Sequence, residues 1–211
     1  MALRQLQYSE KARNILLTST EMKKYIITGG PHSGKSSVLN ILEGKGFCVL
    51  HETARLIIQE DQDKKRADPS YNFLYPWEDQ RIFCRRCYER QIEREKQLTG
   101  DIAVLDRSII DNLAYAAVAG IQLDRKIYKD IFAAGYENKV FYFDQLEGYI
   151  TDDQRKDSEE QVKAVHEELY KVYTGLGFNI IKVPVFSDDR KINIMKRSEF
   201  LLDRIKLLKG V

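Results

Sequence analysis

Nine consecutive residues, Gly29-Gly30-Pro31-His32-Ser33-Gly34-Lys35-Ser36-Ser37, follow the apolar run Tyr25-Ile26-Ile27-Thr28 and lead into a segment of helical character. They fill every fixed position of G-x-x-x-x-G-K-[ST], the phosphate-binding loop, in the strand-then-helix setting that the motif requires. The glycines permit a turn tight enough for successive N–H groups to point inward, and the following helix presents its positive N-terminal end to phosphates. In that arrangement Lys35 reaches the β- and γ-phosphates and Ser36 binds magnesium. A glycine-rich strand-to-helix turn is the competing reading. The coincidence of strand, helix and complete motif favours nucleotide binding.

The rest of the composition narrows the class. A chain of 211 residues with 43% hydrophobic and 31% charged residues has the make-up of one globular domain, expected over 23–211, with residues 1–22 as an N-terminal extension. The 34 basic residues are nearly cancelled by 32 acidic ones, so no strong pull toward nucleic acid or an anionic membrane is expected. Three cysteines, Cys48, Cys84 and Cys87, read as reduced thiols in a cytoplasmic protein. Cys84-x-x-Cys87 lacks a second pair at ligand spacing and lies in a helical pattern, where both thiols face the core instead of zinc. In the first 22 residues the longest apolar cluster is Ile15-Leu16-Leu17, too short for a signal core or a membrane span. A peripheral helix, a disordered extension and an upstream start codon remain open for residues 1–21.

Strand-like and helix-like segments then alternate, which predicts a three-layer α/β/α fold around a mainly parallel five-stranded sheet. Strands are expected at about 24–28, 47–50, 102–106, 140–144 and 178–183. Helices are expected from Lys35 to Glu43, near 53–62, after Pro76, from a Ser158/Gln161 capping box with Val162, Val165, Leu169, Val172 and Leu176 inward, and from about Ser187. The Ser158 helix reads as core packing without chemistry. The last helix is expected to bury Ile192, Met195, Leu202 and Ile205 and to close the sheet edge. The loop from Lys64 to Tyr75 is a candidate substrate lid.

Ligands of such sheets bind beyond the carboxyl ends of the strands, which gives weight to residues just after each one. Asp106 stands where a carboxylate supports magnesium opposite the loop hydroxyl, or else caps the next helix. Arg107 suits a phosphate or transferring phosphoryl group, or an ion pair with a neighbouring carboxylate. Glu52 is placed to take a proton from an acceptor hydroxyl, or to serve as an acid at a helix start. The polar segment 144–157 reads as a second lid, with Arg155 or Lys156 closing over the phosphates or simply solvated. Arg81, Arg85, Arg86, Arg90 and Arg94 crowd the helix after Pro76, and a solvated face is expected because acids alternate with the bases. Some of these arginines, or Gln80, are alternatively placed toward the substrate crevice. Without a row of aromatic residues, nucleic-acid binding is not expected there.

Gly29 to Ser37, His51-Glu52-Thr53-Ala54-Arg55-Leu56-Ile57-Ile58, Leu105-Asp106-Arg107-Ser108 and Arg155-Lys156 together resemble the AAA-type ATPase domain shared by NadR ribosylnicotinamide kinases and the translocation-defect-protein family, over roughly residues 23–205. The resemblance implies a fold like nucleoside and nucleotide kinases, ATP and magnesium at the loop, and an acceptor between strands two and three. Asp106-Arg107-Ser108 is also similar to the acidic-arginine-serine motif of deoxynucleoside kinases. NadR proteins carry a separate nucleotidylyltransferase region upstream, which 22 residues do not supply, and the translocation-defect branch is associated with GTP and phospholipid. Two functions are therefore expected in order: phosphoryl transfer from ATP to a small acceptor such as a nucleoside or nucleotide, then a nucleotide-binding regulatory switch acting on a protein or lipid partner. Asn138-Lys139 is followed by Val140-Phe141, so the guanine-reading N-K-x-D motif is missing and ATP is expected over GTP.

Overall fold

A computed structural model describes residues 22–73, 78–146 and 158–209. Residues 1–21, the Pro76 helix start, and the lid positions Arg155 and Lys156 lie outside the described residues. Five strands, β1 (Lys23–Thr28), β2 (Cys48–Leu50), β3 (Ile102–Asp106), β4 (Tyr136–Phe143) and β5 (Asn179–Val183), form one sheet in the order β2-β3-β1-β4-β5. Every pairing is parallel. The described helices are α1 (Lys35–Gly44), α2 (Thr53–Ala67), α3 (Gln80–Glu95), α4 (Asp111–Val118), α5 (Lys126–Ala133), α6 (Glu159–Gly175) and α7 (Arg190–Lys209). The structure is thus an α/β fold with a parallel five-stranded sheet.

Side chains of a strand alternate between the two faces of a sheet, and β1 shows how this divides the core. Tyr25 and Ile27 pack with Val38, Leu39 and Leu42 of α1 and Leu201 and Ile205 of α7. Ile26 turns the other way, into a cluster with Ile110 just before α4, Ala114 of α4, Ile131 of α5 and Leu169 of α6. Both faces are buried, which is why the strands read as near-continuous apolar runs.

Several boundaries differ from expectation. Helix α2 runs to Ala67, because Lys64, Lys65 and Arg66 suit the negative end of a helix, and it takes up part of the expected 64–75 lid. Strand β4 begins at Tyr136 and ends at Phe143, leaving Asp144 just beyond it. Helix α7 starts at Arg190, where the Asp189 carboxylate accepts the Ile192 N–H at 2.9 Å. It packs on α1 across one face of the sheet instead of closing the edge. Its buried stripe is Asn193, Arg197, Leu201 and Ile205, whereas Ile192 and Met195 are 47% and 58% exposed. Two polar members conceal that stripe from a count of apolar residues.

The arginine row of α3 is also reassigned. Arg86 pairs with buried Asp61 at 2.7 Å, Arg90 pairs with Glu60 at 2.9 Å, and Arg94 donates to the His51 carbonyl and to Thr53 Oγ1, both at 2.7 Å. The stripe joins α3 to α2 and to the end of β2. Arg85 stays on the surface with Glu89, as expected. Cys84 and Cys87 are buried, Cys87 against Ile57, Ile58 and Phe83, in keeping with the core reading. Among the described residues no helix is long and apolar enough to cross a membrane.

Candidate functional site

The chain leaves β1 toward β2 on one side of the sheet, and after β3 it crosses to β4 and β5 on the other side, so the strand order reverses beside β1 and the crevice at that point lies over the carboxyl ends of β3, β1 and β4. The loop 29–37 occupies it. Gly29 has φ 135°, and a Cβ there would stand 2.6 Å from the Phe143 carbonyl oxygen, so both the backbone conformation and the approach to β4 require glycine. His32, at φ 59°, holds the left-handed conformation without that freedom, at a cost of about 1–2 kcal/mol. The Lys35 ammonium is buried inside the turn, donating to the Gly29 carbonyl (3.1 Å), the Gly30 carbonyl (2.9 Å) and Ser33 Oγ (3.0 Å). Positive charge is thereby held at the centre of the loop.

Ser36 Oγ donates to Asp106 Oδ2 at 2.9 Å, which brings together the two expected magnesium ligands. Asp106 Oδ1 is buried and has no hydrogen-bond partner among the described residues. Burial and the neighbouring Glu52 carboxylate push the Asp106 pKa up, against the opposing pull of Lys35, Arg107 and Ser36. An orphaned carboxylate oxygen beside a hydroxyl, in a place where negative charge is unfavourable, fits a hard divalent cation.

Arg107 follows Asp106 in the left-handed conformation, φ 71°, with its N–H bonded to the Ile27 carbonyl at 2.9 Å. Its Nε donates to Glu52 Oε1 at 3.1 Å and its Nη1 to Asp111 Oδ1 at 3.0 Å, and the guanidinium lies 5.3 Å from the centre of the Tyr115 ring. Nη2 is buried without a hydrogen-bond partner among the described residues. Burial pulls the Arg107 pKa down, but Tyr115 and the Glu52, Asp111 and Asp106 carboxylates outweigh it and hold the group well above its ordinary value. Glu52, the residue before α2, contacts Arg55 at 3.5 Å with its other oxygen. Arg107 and Glu52, read separately in the sequence, are therefore one ion pair.

Three residues that sequence reasoning missed complete the surroundings. Asp111 accepts from Thr28 Oγ1 (2.7 Å), Ser108 N–H (2.9 Å) and the Tyr173 hydroxyl (2.6 Å) besides Arg107, tying β1, α4 and α6 together. Its signal was local, an aspartate three residues after Ser108 at a helix start. Arg197 of α7 reaches under the loop, donating to the carbonyls of Ser33 (2.6 Å), Pro184 (2.8 Å) and Asp144 (3.0 Å) while its guanidinium packs on Phe143. Burial pushes its pKa down to about 10. His166 of α6 accepts the Gly30 N–H at 3.0 Å, so the helix read as packing alone also touches the loop. Neither Arg197 nor His166 carries a motif.

Similar folds have been solved. A deoxyadenosine kinase from M. mycoides superimposes with a TM-score of 0.55 at 13% identity, covering 88% of this chain and 99% of that one. A thymidylate kinase from Candida albicans gives 0.55 at 16% identity, over 89% and 92% of the two chains. The NadR protein in complex with NR gives 0.62 at 17% identity over 90% of this chain, which spans 51% of NadR. At such identities the likeness is one of fold. No curated protein sequence matches this chain. The sequence pattern of the AAA domain matches residues 24–190 and so includes the loop, Glu52, Asp106 and Arg107. With that match and the nucleoside-kinase-like fold together, the chain belongs to the AAA-domain family of P-loop NTPases.

Proposed function

We propose that the protein is a phosphotransferase that moves the γ-phosphoryl group of ATP to a hydroxyl or phosphate oxygen of a small acceptor such as a nucleoside or nucleotide. The observation that carries this reading is the placement of Lys35, the Ser36–Asp106 contact and the Arg107–Glu52 pair around one crevice at the strand ends. The unit is assigned to residues 23–211, with 1–22 as an extension, and to the cytoplasm.

Residues 29–37 cradle the phosphates, Lys35 offsets their charge, and Ser36 and Asp106 hold magnesium. Magnesium held there would supply positive charge against the phosphates. Glu52, held by Arg107, accepts a hydrogen bond from the acceptor hydroxyl and orients it. Arg107 keeps Glu52 in place and directs Nη2 toward developing negative charge. Arg155, outside the described residues, is assigned to closure over the phosphates. The acceptor oxygen forms a bond to the γ-phosphorus as the bond to the β,γ-bridging oxygen breaks, and ADP leaves with those electrons. The acceptor proton passes to Glu52 or water. Positioning and charge account for most of the rate in such a transfer.

A slow nucleotide-dependent switch is the second reading, favoured by the engagement of Glu52 with both Arg107 and Arg55. Incubation with magnesium, γ-labelled ATP and a pool of nucleosides, nucleotides and nicotinamide riboside separates the two, with Lys35→Ala as control. A labelled acceptor missing from the control supports the kinase. Tight binding with only slow release of labelled phosphate overturns it in favour of the switch.

A further inference from the structure

One peptide unit of the phosphate-binding loop is gripped from both ends. The Gly29 carbonyl accepts from Lys35 Nζ at 3.1 Å, and the N–H on the other side of the same planar amide, that of Gly30, donates to His166 Nδ1 at 3.0 Å. Because the group is planar and its C=O and N–H point in opposite directions, neither contact can turn without the other. The imidazole is itself fixed: its ring centre lies 4.7 Å from that of Tyr142, whose hydroxyl donates to the His166 carbonyl. A Cβ on Gly30 would approach His166 Cβ and Nδ1 to 3.2 Å and Gln145 Nε2 to 2.7 Å, so the loop meets α6 without slack. A ring nitrogen that accepts a hydrogen bond carries no proton, which makes this imidazole the neutral tautomer with its proton on Nε2.

We propose that His166 is a positioning residue for the phosphate-binding loop: its neutral ring holds the Gly29–Gly30 peptide and through it Lys35, and a proton taken up at Nδ1 ejects the Gly30 amide and loosens the loop. The inference rests on the nucleotide-binding reading of that loop. Protons reach the ring, because it is half-buried and lines an open cleft of about 360 Å³ with Tyr142, Asp144, Tyr170 and Lys182. Burial opposes its protonation, as do Lys35 of α1 and Arg107 beyond β3. Asp144 beyond β4 and Glu167 of α6 favour it, and the net direction is downward from the ordinary histidine pKa. Lys171 of α6 and Lys182 of β5 add positive charge to the same cleft. Nucleotide affinity therefore falls as pH drops below the usual histidine value of about 6.5.

The test is the dissociation constant of a fluorescent ATP analogue with magnesium, from pH 8 to pH 5.5, for the full chain and for His166→Asn and His166→Ala. Asparagine returns an acceptor near the position of Nδ1 but does not titrate. Any titration of the nucleotide's own phosphates is common to every sample, so the difference between proteins is what is read. Wild type is expected to lose about two- to fivefold more affinity than His166→Asn over this range, within the worth of one hydrogen bond, and His166→Ala to bind weakly throughout. Parallel pH profiles for wild type and His166→Asn, or wild-type affinity in His166→Ala, would overturn the proposal. Histidine nitrogen NMR of the nucleotide-free protein is an independent readout. An Nε2–H tautomer for His166 supports the contact and an Nδ1–H tautomer sinks it, whether or not nucleotide binds; absence of binding by wild type at pH 8 would instead defeat the nucleotide reading.

Discussion

Arg197 donates from Nη1 to the Ser33 carbonyl at 2.6 Å although 164 positions separate them. The same guanidinium holds carbonyls just beyond β4 and β5, so a side chain of the last helix joins the phosphate-binding loop to the ends of two strands. Arg197→Ala takes a charged donor from all three carbonyls, that of Ser33 buried and the others part-buried, and is expected to lower stability by about 2–4 kcal/mol. Urea unfolding checks this, and a loss under about 0.5 kcal/mol, the size of an ordinary surface change, would remove the bridging role.

Gly29→Ala places a Cβ 2.6 Å from the Phe143 backbone oxygen, an atom that the sheet does not allow to move away. ATP affinity is expected to fall by at least about tenfold, as the loop shifts from the geometry its contacts define. Gly175→Ala is the matched control: apart from its chain neighbours and the helix's own backbone, nothing among the described residues lies within 4 Å of a Cβ there, and alanine in the last turn of α6 is expected to stabilise by up to about 1 kcal/mol. Calorimetry and nucleotide titration of both variants give the comparison.

Asp106→Asn separates stability from binding. The folded-state pKa of Asp106 is raised, so its contribution is most favourable below the unfolded carboxylate value and is lost as pH rises through the folded one. At neutral pH the burial of this carboxylate is a cost, and an isosteric amide that can still accept from Ser36 relieves it. Asp106→Asn is expected to be no less stable than wild type at pH 7 and to lose the magnesium dependence of ATP binding. A large drop in stability at pH 7 would show that the charge has a structural partner instead.

For Arg107 and Glu52, removal of either member takes a close partner from a buried charge, leaving Glu52 only Arg55 or Arg107 only Asp111 among the pairs described, at a cost of up to about 3–5 kcal/mol. The double variant Glu52→Gln/Arg107→Met is expected to lose less than the sum of the two single changes. A thermodynamic cycle measured by denaturation reads this directly, and strict additivity would mean that the pair is not coupled in solution.

The three cysteines divide by burial. Burial pushes the Cys84 thiol up to about 11 and that of Cys87 higher still, while Cys48 is only half-buried. Native protein at pH 8 is expected to take up one equivalent of an alkylating reagent, at Cys48, and three after denaturation. Rapid modification of Cys84 or Cys87 in the native state would contradict the packing of α3 on α2.

Local patterns carried the parts of this protein that could be read without coordinates. The loop 29–37 is contiguous, and its glycines, lysine and serine act through their own backbone and nearest neighbours. Asp106 could be placed because an apolar run ending in a carboxylate marks the carboxyl end of a buried strand. An ion pair with a neighbouring carboxylate was one of two readings for Arg107, and neither reading of Glu52 included it, since the pair depends on β2 and β3 lying side by side, which the pairing of Leu50 with Leu105 establishes.

By itself the sequence determined the α/β class, the phosphate-binding loop and the residues at the strand ends, because each depends on spacing within about ten residues. Only the tertiary structure decided which polar residues of the covering helices reach that loop. His166 and Arg197 sit in amphipathic patterns where a histidine or an arginine ordinarily faces water. Their partners, the Gly30 amide and the Ser33 carbonyl, are backbone groups that every residue type possesses, 136 and 164 positions away. A contact whose partner is main chain leaves no mark on the partner's identity, so it exists as information only once the chain is folded.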